Sequence, residues 1–304
     1  MPFTIYQPSR RAFLQTGLGA CIGALTAKTF ADISPIEPER WAFLSDPHIS
    51  ADPETVRSGV NMSAHLREVV KQVGEAKNKP ANIFVNGDLA VVDGQVGDYQ
   101  QFAKLMEPLR ALKAPVHLTL GNHDERQHFR DAFPDAAHGP LEEKHVLSVE
   151  GKTVQWIFLD SLLATNKTPG EIGAKQFEWL KAQLEAKQGK PIIIVAHHPM
   201  EKPRPENSPK FATGLVDTAA MLELLDGNPR IKAFIFGHTH DWNAWQTPGG
   251  VHLINLPPVA YVFAKGRPSG WVEAEVTAQS MKLTLHALDT AHPQNGEVKE
   301  ITFR

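Results

Sequence analysis

The chain has 304 residues, with 31 Lys and Arg against 34 Asp and Glu for a formal net charge of −3, and 42% of its residues are hydrophobic. These values describe an ordinary globular protein. They exclude a disordered, a collagen-like and, because there is one cysteine, a disulfide-stapled chain. The slightly acidic balance argues against a protein that coats nucleic acid, so we expect no nucleic-acid binding and a small partner molecule.

The amino terminus is predicted to be an export signal. Residues 9–14 read Ser-Arg-Arg-Ala-Phe-Leu, and a weakly apolar stretch rich in Gly and Ala follows over residues 16–30. Paired arginines before such a stretch resemble a bacterial twin-arginine signal, which implies the twin-arginine export machinery as a partner and a periplasmic or secreted enzyme. Residues 1–31 would then be the signal and residues 32–304 a single domain. A disordered tail, or a lipoprotein cleavage site at Cys21, is the alternative.

Short apolar runs that alternate with helical patterns predict one α/β domain. Apolar residues at helical spacing predict helices around residues 66–73, 102–109 and 177–184. After residue 240 the helical patterns stop, and alternation over residues 251–256, 271–276 and 281–285 predicts antiparallel strands or hairpins. The predicted buried strands cover residues 41–44, 83–85, 116–120, 157–159, 192–196 and 234–236.

Asp, Asn and His side chains follow five of these strands, at the point where each strand ends. In chain order they are Asp46 and His48, Asp88, Asn122 and His123, His197 and His198, and His238 and His240. Loops converge at the carboxyl edge of an α/β sheet, so we expect one shared site. Imidazole, carboxylate and amide donors without thiolate suit Fe, Mn, Zn or Co. Even seven of these nine side chains exceed the needs of one ion, so the sequence predicts two adjacent ions.

The blocks D-x-H, G-D, G-N-H-[DE], H and G-H-x-H occur here in that order over residues 46–240. In this the chain resembles the calcineurin-like metallophosphoesterases, and the G-D-L and H-H-P blocks resemble the class III cyclic-nucleotide and glycerophosphodiesterase branch. The resemblance implies an α/β fold, a four-layer α/β/β/α sandwich of two mixed sheets flanked by helices, whose second sheet the late hairpins would complete. A single doubly wound sheet is the alternative.

The resemblance also implies a role for each residue of the blocks. It assigns Asp46, His48 and His240 to one metal, Asn122, His197 and His238 to the other, and Asp88 to a position that bridges both. His198 is the alternative to His197. A hydroxide between the metals would attack phosphorus while His123, left unligated, protonates the departing oxygen as general acid.

We therefore predict an exported dinuclear phosphohydrolase that acts on a small phosphoester, with a phosphodiesterase as the leading hypothesis. A phosphomonoesterase or nucleotidase on the same centre, and an inactive binding scaffold, are the alternatives. The Pro-rich loop over residues 200–211 is a candidate lid or a surface excursion, and its Lys202 and Arg204 are candidate substrate-binding residues. Asp124, Asp160 and Asp241 either orient ligand imidazoles or serve as turn residues.

Overall fold

The computed structural model describes residues 37–136, 139–186, 189–201 and 213–304. The predicted signal, Cys21, Lys202 and Arg204 lie outside these ranges. Residues 38–304 form one compact unit. Within the described ranges, every helix is too short or too polar to cross a lipid bilayer.

Strands are interspersed with helices as far as residue 236, and strands follow from there on. The helices are α1 (Met62–Glu75), α2 (Val96–Met106), α3 (Arg126–Ala132), α4 (Ala174–Ala186) and α5 (Thr218–Gly227), with a 3-10 helix at Glu107–Leu112. The strands are β1 (Glu39–Ser45), β2 (Val56–Arg57), β3 (Val60–Asn61), β4 (Asn82–Asn86), β5 (Val116–Thr119), β6 (Leu147–Glu150), β7 (Gln155–Phe158), β8 (Ile192–Val195), β9 (Ile231–Phe236), β10 (Asn243–Gln246), β11 (His252–Asn255), β12 (Gly270–Val276), β13 (Ser280–Ala287) and β14 (Val298–Thr302).

Two six-stranded mixed sheets carry the fold. The first has the order β14-β13-β12-β1-β4-β5, with β1, β4 and β5 parallel and the other pairs antiparallel. The second has the order β10-β11-β9-β8-β7-β6, with β7, β8, β9 and β11 parallel. Strands β2 and β3 form a separate two-stranded hairpin.

The two sheets pack face to face, and the helices cover their outer faces. Trp41 and Phe43 of β1 join a central cluster with residues of the second sheet, where the Trp41 and Trp156 ring centroids are 4.3 Å apart. Ala42 and Leu44, which alternate with them, face the opposite way into a cluster with α1 and α2. The second sheet packs its other face against α4 and α5. This arrangement confirms the predicted four-layer sandwich.

Local chemistry explains where α1 and α2 begin and end. The Asn61 side chain accepts a hydrogen bond from the Ala64 backbone N–H at 2.8 Å and so caps the first turn of α1. The stripe predicted over residues 102–109 continues beyond α2 into the 3-10 helix. Pro108 lies at the start of that helix, and its missing N–H interrupts the α-helical ladder there.

The late strands differ from the prediction in two ways. The hairpins from β12 to β14 extend the first sheet, because β12 pairs antiparallel with the free edge of β1. Only β10 and β11 complete the second sheet, where β11 forms the predicted antiparallel pair with β10 and an unpredicted parallel pair with β9. An alternating pattern shows that a strand has one buried face, but it carries no information about which neighbour the strand pairs with.

Candidate metal centre

The predicted ligands meet where the carboxyl ends of strands from both sheets approach one another. Loops after β1, β4 and β5 supply them from the first sheet, and loops after β8 and β9 supply them from the second. His/Asp groups whose ligand atoms lie within 4.8 Å of one another form there. The members of these groups are Asp46, His48, Asp88, His123, His197, His198, His238 and His240.

The backbone at this edge adopts a conformation that ordinary residues avoid. Asp46, His48, Asp88, His238 and His240 all have positive φ angles, between 48° and 64°. Each such non-glycine residue costs about 1–3 kcal/mol and persists only where the surrounding structure enforces it. This left-handed backbone conformation at five predicted site residues is not encoded in the spacing of those residues along the sequence.

One group consists of Asp46, His48 and His240. The two Nε2 atoms of His48 and His240 lie 3.0 Å apart, and His240 Nε2 is 3.4 Å from Asp46 Oδ1. The Nδ1 atom of His240 donates a hydrogen bond to the carbonyl oxygen of Tyr261. This hydrogen bond directs Nε2 toward the centre. Three donor atoms therefore point at one position.

A second group consists of Asp46, Asp88 and His197 and shares Asp46 with the first. His197 Nε2 lies 3.3 Å from Asp88 Oδ2 and 3.9 Å from Asp46 Oδ1. The other ring nitrogen, Nδ1, donates a hydrogen bond to the Asn86 carbonyl oxygen at 3.0 Å. His48 Nε2 is 3.7 Å from the same Asp88 oxygen. Asp88 therefore stands between imidazoles that belong to different predicted ions.

The remaining predicted ligands are His238, which lies beside His197, and Asn122. The His238 ring centroid is 5.2 Å from that of His197 and 4.7 Å from that of His198. Asn122 is buried, and its Oδ1 atom has no hydrogen-bond partner among the described residues. A buried acceptor without a partner costs free energy unless a ligand satisfies it.

His198 differs from His197 in what holds it. Its Nδ1 lies 2.8 Å from Ser161 Oγ, and its backbone N–H donates to the same oxygen at 3.1 Å. The His198 ring is thus held by the Ser161 hydroxyl, whereas the His197 ring faces the Asp88 carboxylate directly. This geometry favours His197 as the ligand, although His198 belongs to the same cluster.

His123 lies at the rim of the centre and is half-buried. Its backbone N–H donates to Asp88 Oδ1 at 2.8 Å, and its ring is 5.2 Å from the His48 ring. The Nδ1 atom is 2.6 Å from the Val92 carbonyl oxygen. Because a carbonyl only accepts, Nδ1 carries the hydrogen and Nε2 is the ring atom that remains for chemistry.

The electrostatics of the centre suit cations. Burial alone would raise the pKa of Asp88, but the nearby His197 and His48 rings lower it well below its usual value. Burial, opposed by Asp88, lowers the pKa of His48 to about 3, and burial with His197 lowers that of His238 to about 4. For His197 the Asp88 and Asp46 carboxylates outweigh burial and raise the pKa to about 9. The carboxylates thus stay ionised, and two imidazoles stay neutral, as metal ligands must be.

Three aspartates that could orient ligand imidazoles form ion pairs or hydrogen bonds with other groups instead. They are Asp124, Asp160 and Asp241. Asp160 pairs with Arg126 at 2.8 Å, and Asp241 lies 3.5 Å from Arg267. The Asp124 carboxylate accepts three backbone N–H groups from two neighbouring site loops, those of Leu89, Ala90 and Gly121. These contacts favour the turn and loop interpretation over the orientation of ligand rings.

Three residues that border the centre lie outside the five sequence blocks. The Tyr261 ring stacks on His48 with centroids 5.2 Å apart, and the Phe263 ring stacks on His240 with centroids 4.0 Å apart. The guanidinium carbon of Arg57 lies 5.7 Å from the Tyr261 ring centroid. They come from the β2–β3 hairpin and from the loop before β12, and nothing in their spacing links them to the ligand blocks.

The structure therefore places a candidate metal centre, built from buried His and Asp groups, at one edge of a four-layer α/β sandwich. The sequence profile of the calcineurin-like phosphoesterases matches residues 40–242, and the chain belongs to that family.

Similar proteins include a probable cyclic nucleotide phosphodiesterase of Rhodococcus erythropolis, 30% identical over 201 residues that cover 65% of this chain and 63% of that protein. This chain therefore matches less than two thirds of that relative's length. The glycerophosphodiester phosphodiesterase GpdQ of Enterobacter lignolyticus is 24% identical over 67% of this chain and 72% of that protein. A dimetal phosphatase from Danio rerio has the same fold, with a TM-score of 0.66, 17% identity, and coverage of 88% of this chain and 100% of that one.

Proposed function

We propose that this protein is a dinuclear metal-dependent phosphodiesterase. The observation that carries the proposal is the convergence of imidazole and carboxylate donors in overlapping groups that share Asp46 and Asp88. The partnerless Oδ1 of Asn122 supports it, because a cation would satisfy that oxygen. This nitrogen and oxygen donor set fits Fe, Mn or Zn. Two bound ions would supply Lewis-acid polarisation of the phosphate and activation of water.

The geometry supports a division of the ligands into two sets. Asp88 is proposed to bridge the sets, because one of its oxygens faces both His48 and His197. The first set is Asp46, His48 and His240, and the second is Asn122, His197 and His238.

His123 is proposed as the general acid. Its Nδ1–H is donated to the Val92 carbonyl, which orients the ring and leaves Nε2 to give a proton to the departing oxygen. The bond from its backbone N–H to Asp88 keeps the ring beside the proposed bridging ligand. Removal of this ring should therefore slow turnover without removing metal.

The relatives support a diester over a monoester as the substrate. The Rhodococcus and Enterobacter proteins are phosphodiesterases by name, and their similarity extends over about two thirds of this chain. The substrate proposed is therefore a small phosphodiester. A phosphomonoesterase would use the same centre, so hydrolysis must decide between them.

The deciding experiment compares bis(p-nitrophenyl) phosphate with p-nitrophenyl phosphate, with and without added manganese. We expect metal-dependent turnover with preference for the diester, and its loss in Asp88→Asn. Asp93→Asn is the matched control, because Asp93 is exposed and lies five residues further along the same loop. Preference for the monoester would favour a phosphatase, and full activity of Asp88→Asn would refute the proposed centre.

We also propose that residues 1–31 direct twin-arginine export of the folded enzyme to the periplasm. The proposal rests on the Arg10-Arg11 pair and the weakly apolar stretch that follows. Arg10→Lys with Arg11→Lys should retain the protein inside the cell, while Lys28→Arg, which preserves charge near the other end of the segment, should not. Unchanged export of the double variant would contradict the proposal.

A further inference from the structure

A large aromatic side chain lies exposed beside the metal centre. Phe263 is 63% exposed, and its ring is nearly parallel to that of His240, with an angle of 12° and a centroid distance of 4.0 Å. One face of the Phe263 ring therefore rests on a predicted metal ligand. The high exposure of the side chain means that its other face is open to solvent.

Packing does not explain this side chain. None of the three hydrophobic clusters of the described residues includes Phe263. Its aromatic contacts are His240 and, edge to face, Tyr261 at 6.0 Å. A single exposed apolar side chain is ordinary on a protein surface. What distinguishes Phe263 is that its ring stacks on His240, directly beside the centre.

The segment that carries Phe263 is tied to the metal loops. The backbone N–H of Val259 donates to the Ser45 carbonyl at 2.7 Å, and that of Ala260 donates to the Asp46 carbonyl at 3.2 Å. The Tyr261 carbonyl accepts from His240. The ring is thus held at a set distance from the ligands before any substrate arrives, which lowers the entropy cost of using it.

We propose that Phe263 is a stacking platform for a planar aromatic group on the substrate, such as a nucleobase, and so determines specificity. The inference rests on the proposed function, because it takes the phosphoester to be bound at the adjacent metal centre. With the phosphate held by the metals, a base linked to it through a sugar can lie over the exposed face of Phe263. A diester of glycerol has no ring to place there. The platform therefore favours substrates that carry an aromatic group.

The direct test measures binding of AMP and of ribose 5-phosphate, which differ only by the base, to the metal-loaded protein by calorimetry. Wild type should bind AMP about 5- to 150-fold more tightly, the factor that stacking of one base contributes. Phe263→Ala should abolish this ratio and leave the affinity for ribose 5-phosphate unchanged, while Phe263→Trp should keep the ratio. Val298→Ala, which trims an exposed apolar side chain on the edge strand β14, should change neither affinity.

Hydrolysis gives a second readout. With 3′,5′-cyclic AMP, Phe263→Ala should raise KM by the same factor with little change in kcat, because the platform binds the ground state and transition state alike. With glycerophosphoethanolamine both parameters should stay at wild-type values. Equal binding of AMP and ribose 5-phosphate by wild type, or an equal loss on both ligands in Phe263→Ala, would overturn the platform. Absence of turnover on both diesters would instead refute the proposed function, and the binding ratio would still decide the role of Phe263.

Discussion

Replacement of Gly121 by alanine should disable the metal centre through a single methyl group. Gly121 opens the G-N-H-D block, directly before Asn122. A Cβ atom at this position would lie 2.2 Å from Asp88 Oδ1 and 2.4 Å from the Asp88 backbone nitrogen. The loops after β4 and β5 therefore touch at a point where only a hydrogen atom fits.

The size of the effect follows from those distances. Ordinary contact between nonbonded heavy atoms requires about 3.5 Å, so the Asp88 loop must retreat by about 1 Å. Because a backbone atom is one of the two partners, rotation of the Asp88 side chain does not relieve the clash. A displacement of about 1 Å costs on the order of 100-fold in rate, and overpacking costs about 1–3 kcal/mol of stability.

The assay measures metal per chain by mass spectrometry after gel filtration, kcat/KM on bis(p-nitrophenyl) phosphate, and the thermal midpoint. Gly121→Ala should lose metal affinity and about 100-fold in kcat/KM. Gly74→Ala is the control, because a Cβ atom at that position in α1 meets nothing within 4 Å. It should keep full activity and gain up to about 0.5–1 kcal/mol in stability. Metal content and kcat/KM within twofold of wild type in Gly121→Ala would refute this reasoning.

Three further changes test the acid, the core and the pH response. His123→Ala should retain the wild-type metal content but lower kcat by about 10²- to 10⁴-fold, and loss of metal would make His123 a ligand instead. Phe43→Ala removes a fully buried ring that stacks on Phe84 with centroids 4.3 Å apart. It should cost about 3–5 kcal/mol in urea unfolding, and a cost below 1 kcal/mol would contradict its place in the core. Burial lowers the pKa of His117 to about 4. Since the unfolded chain then binds more protons, this residue removes stability as the pH falls from about 6.5 toward 4. The free energy of unfolding of His117→Phe should therefore fall less between pH 7 and pH 5 than that of wild type, and parallel curves would contradict the shift.

The described residues confirm most of what local patterns indicated about the fold. Strand β1 has a run of apolar residues because both of its faces are buried. Helix α1 has an amphipathic pattern because only one of its faces is buried. Helices α3 and α5 were not predicted, because they bury few residues. Helix α3 buries only Phe129, and α5 buries only Met221 and Leu225, so neither presents a long periodic pattern.

The clustering of His and Asp side chains at one sheet edge was predictable for a related reason. Metal-binding chemistry depends on residue type, and Asp, Asn and His directly after buried strands are visible without coordinates. The positive φ angles at Asp46 and Asp88, the contact between Gly121 and Asp88, and the position of Phe263 are relations through space. Sequence spacing does not encode them.

Hydrophobic period and side-chain chemistry are local properties, so the layered α/β class and the Asp, Asn and His residues that follow the buried strands can be inferred from the amino-acid sequence. The strand pairing and the contacts of the two adjacent histidines depend instead on tertiary structure. Strand β12 pairs with β1, β11 runs parallel to β9, and His197 faces Asp88 while Ser161 holds His198. Each of these depends on a partner far away in the chain. Such partners are selected by the packing of two sheets against each other, which no short window of sequence records.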